Sequence, residues 1–396
     1  MIRHLLKLVW NRKRANALIV AEIFVSFLVI FAVITGAVTY ASAWKRPVGF
    51  QWKQVWDLSM EFDIDGREKA NPELLNGVMR MLAEARSYPE VEAAAISNTP
   101  PYAFSTSEGT RTFDGRQVSF IFDDVSDGFE KVMQLQLVRG RFFSRQDDAS
   151  PHQPIVVDTK TAEAVWGTAD PIGQKLEEDE GVFLQVVGVV KEYRKDGEVS
   201  SPMNMMFRRI HPEGKYGRLG SHILVRVKPG TPPEFEVQLT ERLRKISPEV
   251  SFQLRRMEKM RARMLRVRFA PLVLGGIIGT FLVAMVALGL TGVLWQNVTQ
   301  RTREIGLRRA MGATGSNVHR QVLGEVAVLA TIALLIGSVI VLQLPILGVF
   351  KLVSASAFTT GFIAALATIY ALTILCGLYP SWLASRLQPA DALRYE

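Results

Sequence analysis

A chain of 396 residues that is 48% apolar and 21% charged is too hydrophobic for a disordered polymer and too charged to lie wholly in lipid. Its net charge of +9 is unevenly spread: residues 43–268 carry 34 Lys+Arg against 33 Asp+Glu, residues 1–16 hold +5 and residues 297–321 hold +4. Basicity confined to short segments beside apolar runs argues against a nucleic-acid surface and for membrane orientation, and the single cysteine, Cys376, excludes an internal disulfide framework.

The leader places Ile2, Leu5, Leu6 and Val9 on one helical face with Arg3, Lys7 and Arg14 opposite. That is the pattern of a basic amphipathic helix at a membrane surface, read either as an anionic-lipid anchor or as a contact for a cytoplasmic partner. Ala17–Ser42 follows, the first of four apolar stretches long enough to cross a bilayer, which takes about 20 helical residues. Ala41-Ser42-Ala43 resembles a signal-peptidase site. The apolar core is about twice the length of a signal h-region, however, so the stretch is read as an intact anchor.

Residues 43–268 read as a mixed α/β domain, and about 226 residues can bury a sizeable core. Leu74, Leu75, Val78 and Leu82 predict a helix over Pro72–Arg86. Pro154–Asp158 and Val182–Val190 are rich in β-branched residues and predict strands. Asp170-Pro171-Ile172-Gly173 is a turn, and Glu236–Arg244 is helical. Leu254–Arg268 reads as a charged helix running into the second span, a stalk continuous with it. The adjacent carboxylates Asp123-Asp124, Asp147-Asp148 and Glu177-Glu178 read as solvated surface.

The remaining spans are Phe269–Trp295, Val322–Leu344 and Phe358–Tyr379. Arg3, Lys7, Arg12, Lys13 and Arg14 precede the first span, and Arg301, Arg303, Arg308, Arg309 and Arg320 lie between the second and third; only Lys351 lies between the third and fourth. The positive-inside rule then places both termini in the cytoplasm and residues 43–268 outside. Arg255, Arg256, Lys259, Arg261, Arg263, Arg266 and Arg268 sit at the outer end of the second span against that rule, which large translocated domains largely escape.

Inside the spans the only carboxylates are Glu22 and Glu325, both near a cytoplasmic end, where reaching headgroups or nearby arginines is the plain reading and a gating role the sharper one. The second and fourth spans carry no charged residue, so a hydrophilic conduit through them is hard to build. Gly275 and Gly279 form a small-xxx-small pair suited to close helix packing, within one chain or between two. The chain contains no GxxxxGK[ST] phosphate loop, no Gly-x-Ser-x-Gly elbow and no metal-ligand spacing among His4, His152, His211, His222 and His319. Catalysis within it is not expected, nor is a bound cofactor or metal.

Between the second and third spans stands Arg301-Thr302-Arg303-Glu304-Ile305-Gly306-Leu307-Arg308-Arg309-Ala310-Met311-Gly312-Ala313. A short helix here presents Ile305 and Met311 beside a basic face, Gly312 supplies a left-handed end, and Ser316 caps the next helix. A lipid-binding juxtamembrane helix and a partner contact are equally served by that pattern.

This segment resembles the Arg-Glu-Ile-Gly-[Ile/Leu]-Arg-[Arg/Lys]-Ala-[Leu/Met]-Gly-Ala motif of MacB/FtsX-type ABC permeases. The C-terminal Gly377-Leu378-Tyr379-Pro380-Ser381 and Pro389-Ala390-Asp391-Ala392-Leu393-Arg394 resemble that family's ending. Arg139-Gly140-Arg141-Phe142-Phe143, Pro154-Ile155-Val156-Val157, Trp166-Gly167, Asp170-Pro171-Ile172-Gly173 and Val186-Val187-Gly188-Val189-Val190 resemble its MacB-like periplasmic domain. Ser381 and Trp166 depart from the family's usual Ala and Phe.

The resemblance implies an α-helical membrane protein with four transmembrane helices and a large mixed α/β extracytoplasmic domain inserted between helices 1 and 2. It implies a stand-alone, non-catalytic permease subunit of the bacterial inner membrane, working as a dimer of two copies or paralogues. ATP and Mg would sit on a separate cytoplasmic ABC ATPase. Arg303, Glu304, Ile305, Gly306, Leu307, Arg308, Arg309, Ala310, Met311 and Gly312 would form the coupling helix docked on it, with the leader (Ile2, Arg3, Leu5, Leu6, Lys7, Val9) facing the same partner or lipid. The expected organisation is 1–16 leader, 17–42 first span, 43–268 periplasmic domain with stalk, 269–295 second span, 296–321 coupling loop, 322–344 third span, 345–357 short outer loop, 358–379 fourth span and 380–396 tail. The function implied is transmission of ATP-driven movement to the periplasmic domain, for efflux of an antibiotic, peptide or lipid-like substrate with an adaptor and an outer-membrane channel. Lipoprotein release and FtsX-like activation of a cell-wall hydrolase are the alternatives.

Overall fold

The computed structural model describes residues 13–61, 72–113, 116–177, 183–216, 218–248, 250–300, 307, 311, 314–348 and 353–386. They fall into two compact units, one of residues 1–42 and 269–396 and one of Ala43–Arg268.

The first unit is helical: α1 (Lys13–Trp44), the later part of α6 (Met257–Gln300), α7 (Gly315–Gln343) and α8 (Ala355–Arg386). Each contains a window long and apolar enough to cross a membrane. Ile23, Phe27 and Phe31 of α1, Val286, Leu290 and Leu294 of α6, Ala330 and Leu334 of α7, and Ala365 and Ile369 of α8 form one buried cluster. Leu288, Leu335, Ile363 and Leu375 point outward, as a lipid-facing surface requires. Aromatic edges lock α1 to α8, with Phe27–Phe362 centroids at 6.1 Å and Phe31–Phe358 at 5.3 Å. Glycines allow closer approach. A Cβ on Gly361 would lie 2.0 Å from Thr35 Oγ1, and one on Gly337 2.6 Å from the Phe27 ring.

The second unit is built on an 11-stranded mixed sheet. Its strands are β1 (Val55–Glu61), β2 (Val91–Ser97), β3 (Ser107–Phe113), β4 (Arg116–Val125), β5 (Leu137–Gly140), β6 (Gln153–Asp158), β7 (Lys175–Glu177), β8 (Phe183–Val190), β9 (Asn204–Arg209), β10 (His222–Val227) and β11 (Ser251–Arg256). The helices among them are α2 (Pro72–Ser87), α3 (Phe129–Met133), α4 (Thr159–Trp166) and α5 (Glu234–Ile246). Strand order is β11-β1-β10-β2-β4-β9-β6-β8-β5, with β3 paired to β4 and β7 to β8. Among the described residues only β4–β9 and β6–β8 pair in parallel. The register between β2 and β4 is a single pair, Ser97 with Val125, so a thin seam divides the sheet.

Local sequence accounts for many of these elements. Pro72 opens α2 at a position where the missing N–H costs nothing, and its Leu75, Val78, Leu82 and Ala85 face the core. That stripe and Phe235, Leu239 and Leu243 of α5 cover the β1-β10-β2 half. Strand β6 is buried along its whole length, which fits its place between β9 and β8. Asp158 caps α4 by accepting from Thr161 N at 2.8 Å.

Two local readings are corrected. Leu254, Arg255 and Arg256 belong to strand β11, pairing with Leu58, Asp57 and Trp56, so the charged helix starts at Met257. Thr314, not Ser316, caps α7, accepting from Asn317 N; Ser316 already lies in the first turn, two positions past the cap.

Candidate functional site

Three segments far apart in sequence meet within the sheet unit: residues 43–54 at the end of α1 and beyond it, the loop 191–201 after β8, and the first three turns of α6. Gly49 lets the first pass over the second. It has φ 86°, and a Cβ there would stand 2.0 Å from Glu192 O, so only glycine fits. Arg194 N donates to Val48 O at 2.9 Å. The Arg194 side chain is 1% exposed; its guanidinium donates to Ala43 O at 2.9 Å, Arg46 O at 3.2 Å, Glu198 O at 2.5 Å and Ser200 O at 2.6 Å. One planar fork thus ties four carbonyls of two segments together.

The same loop holds α6. Glu198 Oε1 accepts from Arg261 Nε at 2.6 Å, and Asp196 Oδ2 from Arg268 Nη2 at 2.5 Å. The Arg261 guanidinium lies 4.5 Å from the Trp52 ring centre and 5.7 Å from Trp44, a cation between two π faces. Glu258 Oε1 accepts from Gln54 N at 2.8 Å. Gly197, with φ 86°, brings the loop against the Tyr102 ring. Tyr102 is raised by burial and then by the Glu198 charge, so it stays a protonated donor, 3.5 Å from Glu198 Oε2. Arg226 ties the base of this clasp to α3, donating to Val132 O at 2.6 Å, Lys53 O at 3.1 Å and Gln51 O at 2.7 Å.

Charges also gather around β4 and β9, beside the thin seam of the sheet. Arg209, 0% exposed, donates to Asp127 at 2.7 Å and to Asp148 at 2.6 Å. Arg208 pairs with Asp124 at 2.8 Å, and Arg141 with Asp147 at 2.6 Å. Asp123 accepts from Ser97 Oγ, Asn98 N and Thr99 N; burial nevertheless pushes it up to about 6. The acidic pairs 123–124 and 147–148 are therefore largely not solvated surface. Asp123, Asp124 and Asp147 are buried and partnered, because cations more than 80 residues away, or a nearby turn, come to meet them.

The residues singled out by sequence are placed as follows. Ile2, Arg3, Leu5, Leu6, Lys7 and Val9 lie outside the described residues, as do Arg303, Glu304, Ile305, Gly306, Arg308, Arg309, Ala310 and Gly312. Leu307 and Met311 are described; both are exposed, and Met311 N donates to Leu307 O at 3.0 Å, one helical turn apart. Glu22 is half-buried, its Oε2 3.0 Å from where a Cβ of Gly289 would stand. Glu325 is half-buried on α7. Gly275 and Gly279 of α6 face Val33 and Val29 of α1, at 2.9 and 3.6 Å from an added Cβ. Sequence reasoning missed Arg194, Glu198, Gly49 and the two tryptophans, whose partners are invisible locally. Among the described residues no three His, Cys, Asp or Glu side chains gather as a metal ion needs.

Two family matches divide the chain: the MacB-like periplasmic core domain over residues 18–242 and the FtsX-like permease C-terminal domain over residues 276–389. The chain is 26% identical over 332 residues to the macrolide export ATP-binding/permease protein MacB of Bordetella avium (strain 197N), covering 78% of this chain and 48% of that protein. It is 27% identical over 312 residues to the uncharacterized ABC transporter permease YvrN of Bacillus subtilis (strain 168), covering 73% and 74%. The chain thus spans about half the length of the MacB relatives it matches. The solved periplasmic region of MacB from Actinobacillus actinomycetemcomitans matches at TM-score 0.40 and 12% identity, over 56% of this chain and 97% of that one.

Proposed function

The chain belongs to the family of ABC permeases that join a MacB-like periplasmic core domain to an FtsX-like C-terminal domain, and on that premise we propose that it is the non-catalytic permease subunit of an inner-membrane ABC transporter that conducts movement rather than cargo across the bilayer. Both termini lie in the cytoplasm and the sheet unit outside. A separate ATPase binds the segment Arg303–Gly312, and its ATP-driven closure displaces α6. A second permease copy or paralogue completes the dimer. The cargo is an antibiotic, peptide or lipid-like molecule, handled outside and passed to an adaptor and outer-membrane channel.

One observation carries this reading. α6 is a single helix of 44 residues, apolar in its later part and ion-paired to the loop 191–201 in its first turns. Rigid secondary elements can carry coupling between the parts they join. The uncharged second and fourth spans support the same view, because a polar path would need polar lining.

The test is affinity purification from native membranes. A stoichiometric ATPase that is lost on charge reversal of Arg308 and Arg309 supports coupling through that segment. ATPase binding indifferent to the reversal refutes it. Labelling of single cysteines in residues 43–268 by an impermeant reagent in whole spheroplasts checks the orientation; protection of every site there overturns it.

A further inference from the structure

The seven cations from Arg255 to Arg268 do not share one fate. Arg256 is paired with Glu236 at 3.1 Å, Arg261 with Glu198 and Arg268 with Asp196. Among the described residues Arg255, Lys259, Arg263 and Arg266 have no carboxylate partner. Three of these four, Arg255, Lys259 and Arg263, line a single cavity of about 480 Å³ within the sheet unit. Lys259 and Arg263 are four residues apart on α6 and so occupy one face. Like charges at that spacing disfavour a helix, and the two carboxylates that line the same cavity are engaged elsewhere, Asp57 by His222 and Glu236 by Arg256.

The cavity is also amphipathic. Phe104 stands exposed at its edge with the Arg263 guanidinium 5.2 Å from its ring centre, and Leu254 and Met260 add apolar wall. Phe104 is held in place from behind. Buried Lys195 donates to Ala103 O at 3.1 Å and Ser105 O at 2.6 Å, the carbonyls on either side of it. On the opposite wall Asp57, 1% exposed, bonds His222 Nδ1 through Oδ1 at 2.8 Å, while its Oδ2 has no hydrogen-bond partner. A buried acceptor left unpaired costs stability unless a ligand donor or water serves it.

We propose that the groove between Arg255, Lys259, Arg263 and Phe104 is a binding site for an anionic amphiphile whose phosphate or carboxylate sits among the three cations, whose hydroxyl or amine faces the Asp57–His222 pair, and whose apolar part lies over Phe104, Leu254 and Met260. The volume suits a head group with a few methylenes, since ligand cavities run from about 300 to 1,000 Å³. Charge assistance from three cations favours an anion, and the aromatic edge favours one that carries hydrocarbon. The site deepens the proposed function by naming the class of cargo, and rests on that reading for this role alone.

The probes are dihexanoyl phosphatidylglycerol, dihexanoyl phosphatidylcholine and inorganic phosphate, titrated calorimetrically into the full-length protein in a neutral maltoside detergent. The expected result is saturable binding of the glycerol lipid at least tenfold tighter than either other probe. The double variant Lys259→Gln/Arg263→Gln should weaken it at least tenfold and Phe104→Ser several-fold. Arg266→Gln, equally exposed but outside the cavity, should leave it unchanged. Equal binding of the two lipids, or of free phosphate and the glycerol lipid, overturns the proposal, and so does equal weakening by Arg266→Gln. The titration needs no ATPase, so its failure leaves the permease reading standing, and failure of ATPase co-purification leaves this site standing.

Discussion

Breaking the contact between Arg261 and Glu198 separates the clasp from ordinary surface pairing. The bond is 2.6 Å long, with the side chains 22% and 12% exposed. A hydrogen bond to a charged group contributes about 1.5–3 kcal/mol, and stacking on Trp52 at 4.5 Å adds about 0.5–2 kcal/mol. Partial solvent access favours the lower half of both ranges, so Arg261→Met should cost about 3 kcal/mol and Glu198→Gln about 2 kcal/mol. Methionine keeps the apolar stem against the indoles, which confines the loss to the guanidinium. The double variant should cost about 3 kcal/mol, leaving a coupling energy of about 2 kcal/mol. Thermal unfolding followed by tryptophan fluorescence in detergent reads this as a fall of about 6–12 °C for Arg261→Met, since about 2–4 °C accompanies each kcal/mol in a domain of this size. Single effects that add to within about 0.5 kcal/mol would refute the argument that loop 191–201 grips α6 through this pair.

Burial raises Asp158 to about 6, against hydrogen bonds from Thr161, Met205 and Tyr193 that lower it. The folded state therefore takes up a proton before the unfolded state does, and stability from this group rises as pH falls through about 6 and levels off below about 4; Asp158→Asn, which keeps the helix cap, should remove about 1.3 kcal/mol of that rise between pH 7 and pH 5, read as urea midpoints at the two values, and an unchanged pH slope counts against it. Gly361→Ala should destabilise the helical unit by about 1–3 kcal/mol, because its Cβ meets Thr35 Oγ1 at 2.0 Å and Thr35 Cα at 3.0 Å; an unaltered melting temperature in detergent would show that the two helices separate freely. Pro271 interrupts α6 by removing the bond to the Val267 carbonyl, so Pro271→Ala should raise the melting temperature, and a fall would mean that proline fits a bend the fold requires.

Hydropathy made the four apolar helices legible, since each needs only a run of apolar residues. Strands β6 and β8 were equally visible as β-branched runs. Strand β11 was not. Its burial alternates, with Phe252 and Leu254 inward and Gln253 and Arg255 outward, but six residues of period two dissolve into the charged helix that follows at once. The clasp was hidden for a different reason. Arg261 reaches Glu198 across 63 positions, and Gln54 reaches Glu258 across 204. No local pattern encodes such partners, so the cations of this stretch looked alike until the fold separated the neutralised from the free. The pair Asp123-Asp124 misled in the same way, because a carboxylate's neighbours in sequence say nothing of the arginine strand that will lie beside it.

The clasp has a simple mechanical consequence. The sheet unit is entered by the chain at Ala43 and left at Arg268. Arg194 takes the carbonyl of the first, and Asp196, two residues along, takes the guanidinium of the second. Under the proposed function, a displacement arriving through α1 or through α6 would be delivered to one loop. That loop continues directly from β8, a strand paired on both faces of its ladder with β6 and β5, while buried Arg226 ties the entering segment to α3. Packed interiors resist gradual deformation and pass strain onward. The sparsest junction is the one-pair seam between β2 and β4, crossed where Asp123 accepts from Ser97 Oγ, Asn98 N and Thr99 N. A pull on the clasp is expected to appear as movement across that seam, because every other junction in the sheet carries three or more paired positions.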